Sequence, residues 1–593
     1  MKFKNMIGAL SLSVVVIGCS LDVKMYDGVM AEDISSENIA ELTMGSYRHL
    51  KGSGIINNGW SFRELGSDDV AWNCTSTGTT FKIYDYTRDI ATTNTEYAWE
   101  LGYRAIGNTN LVIELVESMG DKASLENIIY RGENHYIRAL CYFFLVNEFA
   151  QPYSNNPQSN PGLPLKLDSN PDLMSLPKSR STVAEVYDQI VKDLKDAITY
   201  MTLPEGFSPK NNNYATKEAA EALLARVYSY MGDLKNAAIM ADNVIKSGRF
   251  ELEQGERYAK YAQWVPEENK ETIFAVRHVK EKDDQKGGEM FIKIDGSGSE
   301  ERSLSDPYLK LLELHLDEND MPSDLRSQYV VKRFVEDGVQ DFTVHPYLDK
   351  KYEDWTFVYS EKEAKAAGYK YTQLSITKEK NGQYIISDGQ ADAFQSKYIQ
   401  SEPYNLGKRY YVIANDGTKI IGRIEPRVFD AATKTGKMSQ YLLYSCNKRS
   451  YQEEYKQLYS PVISRLAEMY LIRADYNAEI GEVQKALDDV NIIRRRAGIP
   501  EWTLENMKTA EAGKPKDIKK IVEEEHRLEF VLEGLRRFEI FRRRGTLDRR
   551  YPGSHCTSAG DKFLLVPYNS PAVCQFIPQA QFDAYPYDLE QNP

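Results

Sequence analysis

The sequence predicts a mostly α-helical fold in which helical hairpins stack into a superhelix that carries long irregular loops and small β elements. Three observations predict it. Apolar residues recur at helical spacing toward both ends of the chain. Two helix–turn–helix segments, far apart in sequence, repeat the same small-residue offsets. Between them, about 275 to 450 is rich in Gly, Asp, Asn, Lys and Tyr, with only short apolar runs. At 42% hydrophobic and 27% charged over 593 residues, the chain has ample material for a large core.

The N-terminus reads as an address. Lys2 and Lys4 precede Met6–Ile17, a run of twelve residues rich in apolar and small side chains. As a helix this run reaches ~18 Å, short of the ~30 Å hydrocarbon core, so it suits a secretory signal rather than a membrane span. Val16-Ile17-Gly18-Cys19 follows directly and resembles a bacterial lipobox. That resemblance implies removal of residues 1–18 and acylation of Cys19; an ordinary signal peptide with a chance cysteine is the alternative. Several acyl chains anchor durably where one holds marginally. The expected mature protein, 19–593, is thus soluble and tethered.

The first long helix is expected from Tyr97 to Glu117, where apolar residues recur at helical spacing: Trp99, Tyr103 and Ile106, then Leu111, Ile113 and Leu115. A second runs from about Leu125 to Phe149 and stops before Gln151-Pro152. Thr182 opens a third as N-cap, with Glu185 completing a capping box, and it ends near Leu203-Pro204. The repeated hairpins come next. Ala225, Gly232 and Ala237 are spaced by seven and five, as are Ala474, Gly481 and Ala486. Small residues permit close helix approach and each glycine supplies the turn, which resembles the tetratricopeptide unit. Two such units need neighbours to bury their faces, and the three preceding helices are the natural ones. In the middle, short strands are expected at Glu271–Val276 and Tyr410–Ile413 and a helix near Ser305–His315.

The same residues resemble the SusD/RagB family of Bacteroidetes surface lipoproteins. Trp99, Tyr103, Ile106 and Asn110, then Gly132-Glu133, Arg138-Ala139 and Tyr142-Phe143-Phe144, match its N-terminal helices. Arg180-Ser181-Thr182-Val183 and Ala222-Leu223-Leu224-Ala225-Arg226 match the next two. In the C-terminal half the matching residues are Arg465 to Leu471, Arg494-Arg495-Arg496-Ala497-Gly498, Glu525, Arg527, Glu529-Phe530, Glu533-Gly534, Arg536, Phe538 and Arg542. His526, Arg537, Glu539 and Arg543 depart from the family pattern. The resemblance implies one SusD-like domain over 19–593. Its expected parts are an N-terminal helical half (about 30–270), a loop-rich ligand-facing region (about 275–450) and a C-terminal helical half (about 455–593). It also implies a surface-exposed lipoprotein of the outer membrane that captures an oligosaccharide, less often a peptide, for a SusC-like TonB-dependent transporter, without cofactor or catalysis.

The residues themselves limit the rivals. A net charge of −13 argues against nucleic acid or anionic lipid as partner. Glu525, Glu529 and Glu533 fall four apart on one expected helical face, with Arg536 three further on, and Arg494 to Arg496 are available as partners. We read an ionic network packing the last helices together rather than a hydrolase acid and base. Glu525-His526 lacks the second histidine of a zinc-protease motif. Arg536 to Arg544 suits a solvated or bridged helix face better than an RNA site. Beyond Cys19, Cys74, Cys141, Cys446, Cys556 and Cys574 are scattered and odd in number, which gives neither a disulfide framework nor zinc spacing. Pairing of Cys556 with Cys574 stays open, as does calcium at Asp317-Glu318-Asn319-Asp320. A repeat scaffold that binds only protein is the remaining alternative.

Sugars present apolar C–H faces and hydroxyls that need directed partners, so aromatic platforms among polar groups suit them. Trp99, Trp264 and Trp502 fit helical or core positions. Trp72 follows Asp68 and Asp69 and precedes Asn73, and Trp355 lies beside Tyr352. Each tryptophan fits a core position equally well. The expected site sets Trp72, Asp68, Asp69 and Asn73 against Trp355 and Tyr352 across the ligand, with no catalytic residue and no metal.

Overall fold

The computed structural model describes residues 35–58, 63–72, 79–91, 93–283, 302–313, 323–336, 345–346, 354–359, 373–387, 389–404, 407–426, 440–446, 448–449, 452–455, 458–510, 513–549 and 565–593. Residues 1–18, Cys19, Cys556 and the Asp317–Asp320 acidic run lie outside them. Several helices begin where the sequence supplies caps. α1 (Ile39–Lys51) packs on α2 (Thr93–Met119), and α3 (Leu125–Phe149) opens on Ser124, whose Oγ accepts from the Asn127 N–H. In α4 (Val183–Tyr200) the expected capping box is formed. The Glu185 N–H donates to Thr182 Oγ1, and the Thr182 N–H donates to the Glu185 carboxylate at 2.8 Å.

Both predicted hairpins are present, and their turns share one geometry. α5 (Lys217–Met231) leads through Gly232 to α6 (Leu234–Lys246). After α7 (Asp306–Glu313), α8 (Leu466–Glu479) leads through Gly481 to α9 (Val483–Arg496). The glycines have φ of +80° and +79°, a left-handed conformation that L side chains resist. In each, the next N–H closes back over the helix end at 2.9 Å, Asp233 to the Tyr228 carbonyl and Glu482 to that of Asn477. This pattern satisfies carbonyls that a helix end otherwise leaves bare. α6 packs along α8, and α10 (Ile518–Glu529) and α11 (Arg536–Arg542) close the helical array.

One apolar core joins the two ends of the chain. It runs from Trp99 and Ile106 through Tyr136 to Phe149 and Leu223 to Val227, reaching Leu466, Met469, Phe538 and Ile577. Each fully buried side chain of this size contributes about 1.5–3 kcal/mol. Within it Arg226 donates to both Glu468 oxygens, at 2.5 and 2.6 Å, tying the first hairpin to the second.

The middle of the chain forms more sheet than its composition suggests. β1 (Val70–Trp72), β2 (Thr272–Ala275) and β3 (Arg302–Leu304) are short; β1 pairs with β3. β4 (Val330–Glu336) and β5 (His345–Pro346) pair with each other. Then come β6 (Asp354–Tyr359), β7 (Gln373–Lys378), β8 (Tyr384–Ile386), β9 (Gln400–Tyr404), β10 (Gly407–Ile413) and β11 (Lys419–Pro426). These six make one antiparallel sheet in the order β8-β7-β6-β11-β10-β9. Phe357, Leu374, Ile376, Val412 and Ile420 alternate onto its buried face. β12 (Gln440–Cys446) pairs with β4, β13 (Val462–Arg465) with β2, and β14 (Thr546–Asp548) with β15 (Leu565–Pro567). No helix among the described residues is long and apolar enough to cross a membrane.

Candidate functional site

A buried ionic frame underlies the region where the sequence places ligand. Glu525 accepts from Arg326 Nη1 at 2.7 Å and Arg494 Nη1 at 3.0 Å. Glu529 accepts from Arg465 Nη1 at 2.6 Å, Arg326 Nη1 at 3.3 Å, Tyr258 OH at 2.7 Å and Arg496. Glu533 is not on the expected helical face, because α10 ends at Glu529 and Leu532 turns left-handed with φ +58°. It still reaches the network, accepting from Arg465 at 2.8 and 3.0 Å and lying 2.5 Å from Lys448 Nζ. Glu271 and Asp324 complete it, so five carboxylates meet five cations: Arg326, Lys448, Arg465, Arg494 and Arg496. Their balance is what lets ten charges stay buried. Burial alone would raise the Glu529 carboxyl, yet Arg496, Arg465 and Arg326 hold it well below the usual carboxylate range. Arg495, the middle of the expected trio, instead faces outward to Glu501.

A second set of arginines anchors the segment that leads to Trp72. The Gly534 N–H donates to Glu64 Oε2 at 2.7 Å, and Arg549 donates to the Leu65 and Ser67 carbonyls. Tyr86 OH donates to the Gly66 carbonyl. Arg536 donates to both Asp68 oxygens, at 2.8 and 3.1 Å, and Arg527 Nε donates to Asp69 Oδ1 at 2.6 Å. Ser305 ties the backbone from the other side, its Oγ donating to the Asp68 carbonyl and its N–H to that of Asp69. Burial would raise both acids; Arg527 and Arg536 hold Asp68 low, while Asp69, with Asp68 beside it, is pushed up. From this base β1 runs to Trp72, which pairs with Arg302 of β3.

Comparison with known proteins places the chain. Residues 21–229 match the family described as "Starch-binding associating with outer membrane", a SusD-like group, and residues 270–562 match the SusD family itself. This protein belongs to the SusD family. A SusD superfamily protein from Bacteroides thetaiotaomicron VPI-5482 shares its fold at a TM-score of 0.64 and 20% identity, over 94% of this chain and 100% of that one. A putative sugar binding protein from Bacteroides vulgatus ATCC 8482 shares it at 0.63 and 19%, over 94% and 98%. A laminarin binding SusD-like protein does so at 0.54 and 18%, over 94% and 99%. Among curated protein sequences none matches significantly.

Of the six expected ligand residues in this SusD-family chain, Asp68, Asp69, Trp72 and Trp355 lie among the described residues. Asp68 and Asp69 come together, but as internal anchors, 6% and 0% exposed and gripped by Arg527 and Arg536. That corrects their expected role as ligand contacts: two buried carboxylates facing guanidiniums hold the segment in place. Trp72 ends β1, whereas Trp355 lies in β6, paired with Ile376 and Pro426 in the six-stranded sheet. Asn73 and Tyr352 lie outside the described residues. Of the other tryptophans, Trp99 and Trp502 are buried, and Trp264 is half-buried under the Arg257 guanidinium, 4.0 Å from the ring centroid. Arg527 and Arg536 were visible as motif arginines, but nothing local marks Asp68 as their partner, more than 450 positions away. His135, Asp193 and Asp196 approach as a metal set would, yet Arg138 and His135 already engage both Asp193 oxygens, and the guanidinium opposes a cation. Cys574 is a buried free thiol.

Proposed function

We propose that the protein captures a carbohydrate at the surface of an outer membrane and passes it to a SusC-like TonB-dependent transporter. The observation that carries this reading is the family match over 21–229 and 270–562, whose first description is starch-binding and outer-membrane association. The sugar and laminarin binding named for two relatives of the same fold support a glycan over a peptide. An acylated Cys19 is the proposed tether, and no chemical step on the ligand is assigned.

For ligand contact we propose Trp72 and Asn73 on one side and Trp355 and Tyr352 on the other. A rigid base favours such a role, since a platform fixed in place loses little entropy on binding. One platform burying roughly 100 Å² contributes ~2.5 kcal/mol before binding costs, so two give weak to moderate affinity that permits release. The test is affinity electrophoresis of the chain from residue 20 onward against a panel of neutral polysaccharides. Retardation by at least one of them is expected, with the polysaccharide chemically intact afterwards. Trp72→Ala with Trp355→Ala should abolish it; unchanged retardation discards these platforms, and binding of peptides alone discards the carbohydrate reading. Cys19→Ala should release the full-length protein from the membrane fraction.

A further inference from the structure

The α5–α6 turn borders an opening away from the ionic frame and the Trp72 segment. A cleft of about 840 Å³ lies between the α5–α6 turn, the end of α8, the first turns of α10 and the end of α11. That volume is in the range of small-molecule sites, roughly 300–1,000 Å³. Its floor holds Ser229 and Arg543, which also line an adjoining chamber of about 10 Å³. Ser229 is 2% exposed and its Oγ has no hydrogen-bond partner among the described residues, while the buried Nε of Arg543 faces the Glu539 carboxylate at 3.6 Å. Buried polar atoms are normally satisfied, so the Ser229 hydroxyl marks a place for a polar group from outside.

The charges around them select its chemistry. Arg542 and Arg543 share Asp475 and Glu539: Arg542 donates to Asp475 at 2.8 Å and to Glu539 at 2.7 Å, and Arg543 donates to Asp475 at 2.7 Å. At the rim Lys519 lies 2.6 Å from Glu479. Two guanidiniums against two carboxylates leave the floor neutral, so an anion would meet cations already engaged and a cation would meet engaged carboxylates. A hydroxyl fits: it exchanges a hydrogen bond with Ser229. Tyr476 lines the wall, half-buried, and its hydroxyl has no partner among the described residues. We propose that this cleft is a second binding site, for a neutral polyhydroxylated ligand of the saccharide class, separate from the Trp72 and Trp355 platforms.

The inference rests on the carbohydrate reading only for its choice of probes. Hydrogen–deuterium exchange of the protein is measured with neutral gluco-, xylo-, manno-, galacto- and fructo-oligosaccharides, and with oligogalacturonate as acidic control. At least one neutral probe is expected to protect residues 229–235 and 475–479, and to do so equally in the Trp72→Ala, Trp355→Ala protein. Tyr476→Ala and Ser229→Ala should each weaken that binding about tenfold or more. Should Ser229→Ala fail to fold, Tyr476→Ala decides, since its side chain is half-exposed. Protection confined to other segments, or by oligogalacturonate alone, overturns this site and leaves the proposed function standing. No protection anywhere by any saccharide overturns both.

Discussion

Replacing Glu529 with glutamine tests whether the ionic frame holds the C-terminal helices. The carboxylate accepts from three arginines and from Tyr258, all buried. Three charge-assisted bonds at about 1.5–3 kcal/mol each would total far more than the effect expected. The arginines, however, keep other partners: Arg465 keeps Glu271 and Glu533, Arg326 keeps Asp324 and Glu525, and Arg496 keeps Glu271. The uncompensated quantity is one positive charge in a buried set that was five against five. Removing one partner of a buried pair costs about 3–5 kcal/mol, and that is the loss expected for Glu529→Gln. Urea unfolding at pH 7, followed by tryptophan fluorescence, measures it as a lower midpoint at unchanged slope. Glu256→Gln, which breaks an exposed pair with Lys260, should leave the midpoint unchanged, because solvent screens that pair. The pH dependence has a defined sign. Burial would raise Glu529, but its arginines hold it below the ordinary carboxylate value of 4.5, so its stabilisation is present above pH 4.5 and is lost as pH falls below it. The variant should therefore lose less stability than the native protein on acidification. A loss under about 1 kcal/mol at pH 7 would refute the frame as a stabilising element.

Three further outcomes follow from single groups. Burial, with Asp69 nearby, pushes Glu64 up from 4.5 to about 8, so native stability falls as pH rises from 5 to 8. Glu64→Gln should remove that slope and be more stable than the native protein at pH 8, by on the order of a few kcal/mol; lower stability at pH 8 would sink the assignment. Gly232→Ala and Gly481→Ala meet open space, so each should cost only its left-handed backbone, about 1–2 kcal/mol by calorimetry; unequal losses would show the two turns are not equivalent. Burial lowers His526 from 6.5 to about 4, so stability should decline as pH falls between those values; His526→Gln should flatten that decline in a pH series of melts.

Much of this molecule was legible from neighbours in sequence. The Thr182–Glu185 box and the stop after Phe149 depend on groups within four residues of one another, and both appear as expected. The two glycine turns were legible because a left-handed residue leaves a compositional trace and the flanking alanines repeat at fixed offsets. Arg494 and Arg496 were correctly expected to face Glu525 and Glu529. Tertiary structure decided the rest. Arg326, Arg465 and Glu271 carry no local mark of their shared network, because a charge of either sign reads alike whether solvated or buried. β6 meets β11 more than sixty positions later, a pairing that short alternating runs cannot specify. Asp68 and Asp69 look like ligand groups beside a tryptophan until Arg527 and Arg536 fold over them. Capping and periodicity are local hydrogen-bond and packing effects, so the chain itself states them; the fate of a charge depends on which distant segment arrives beside it.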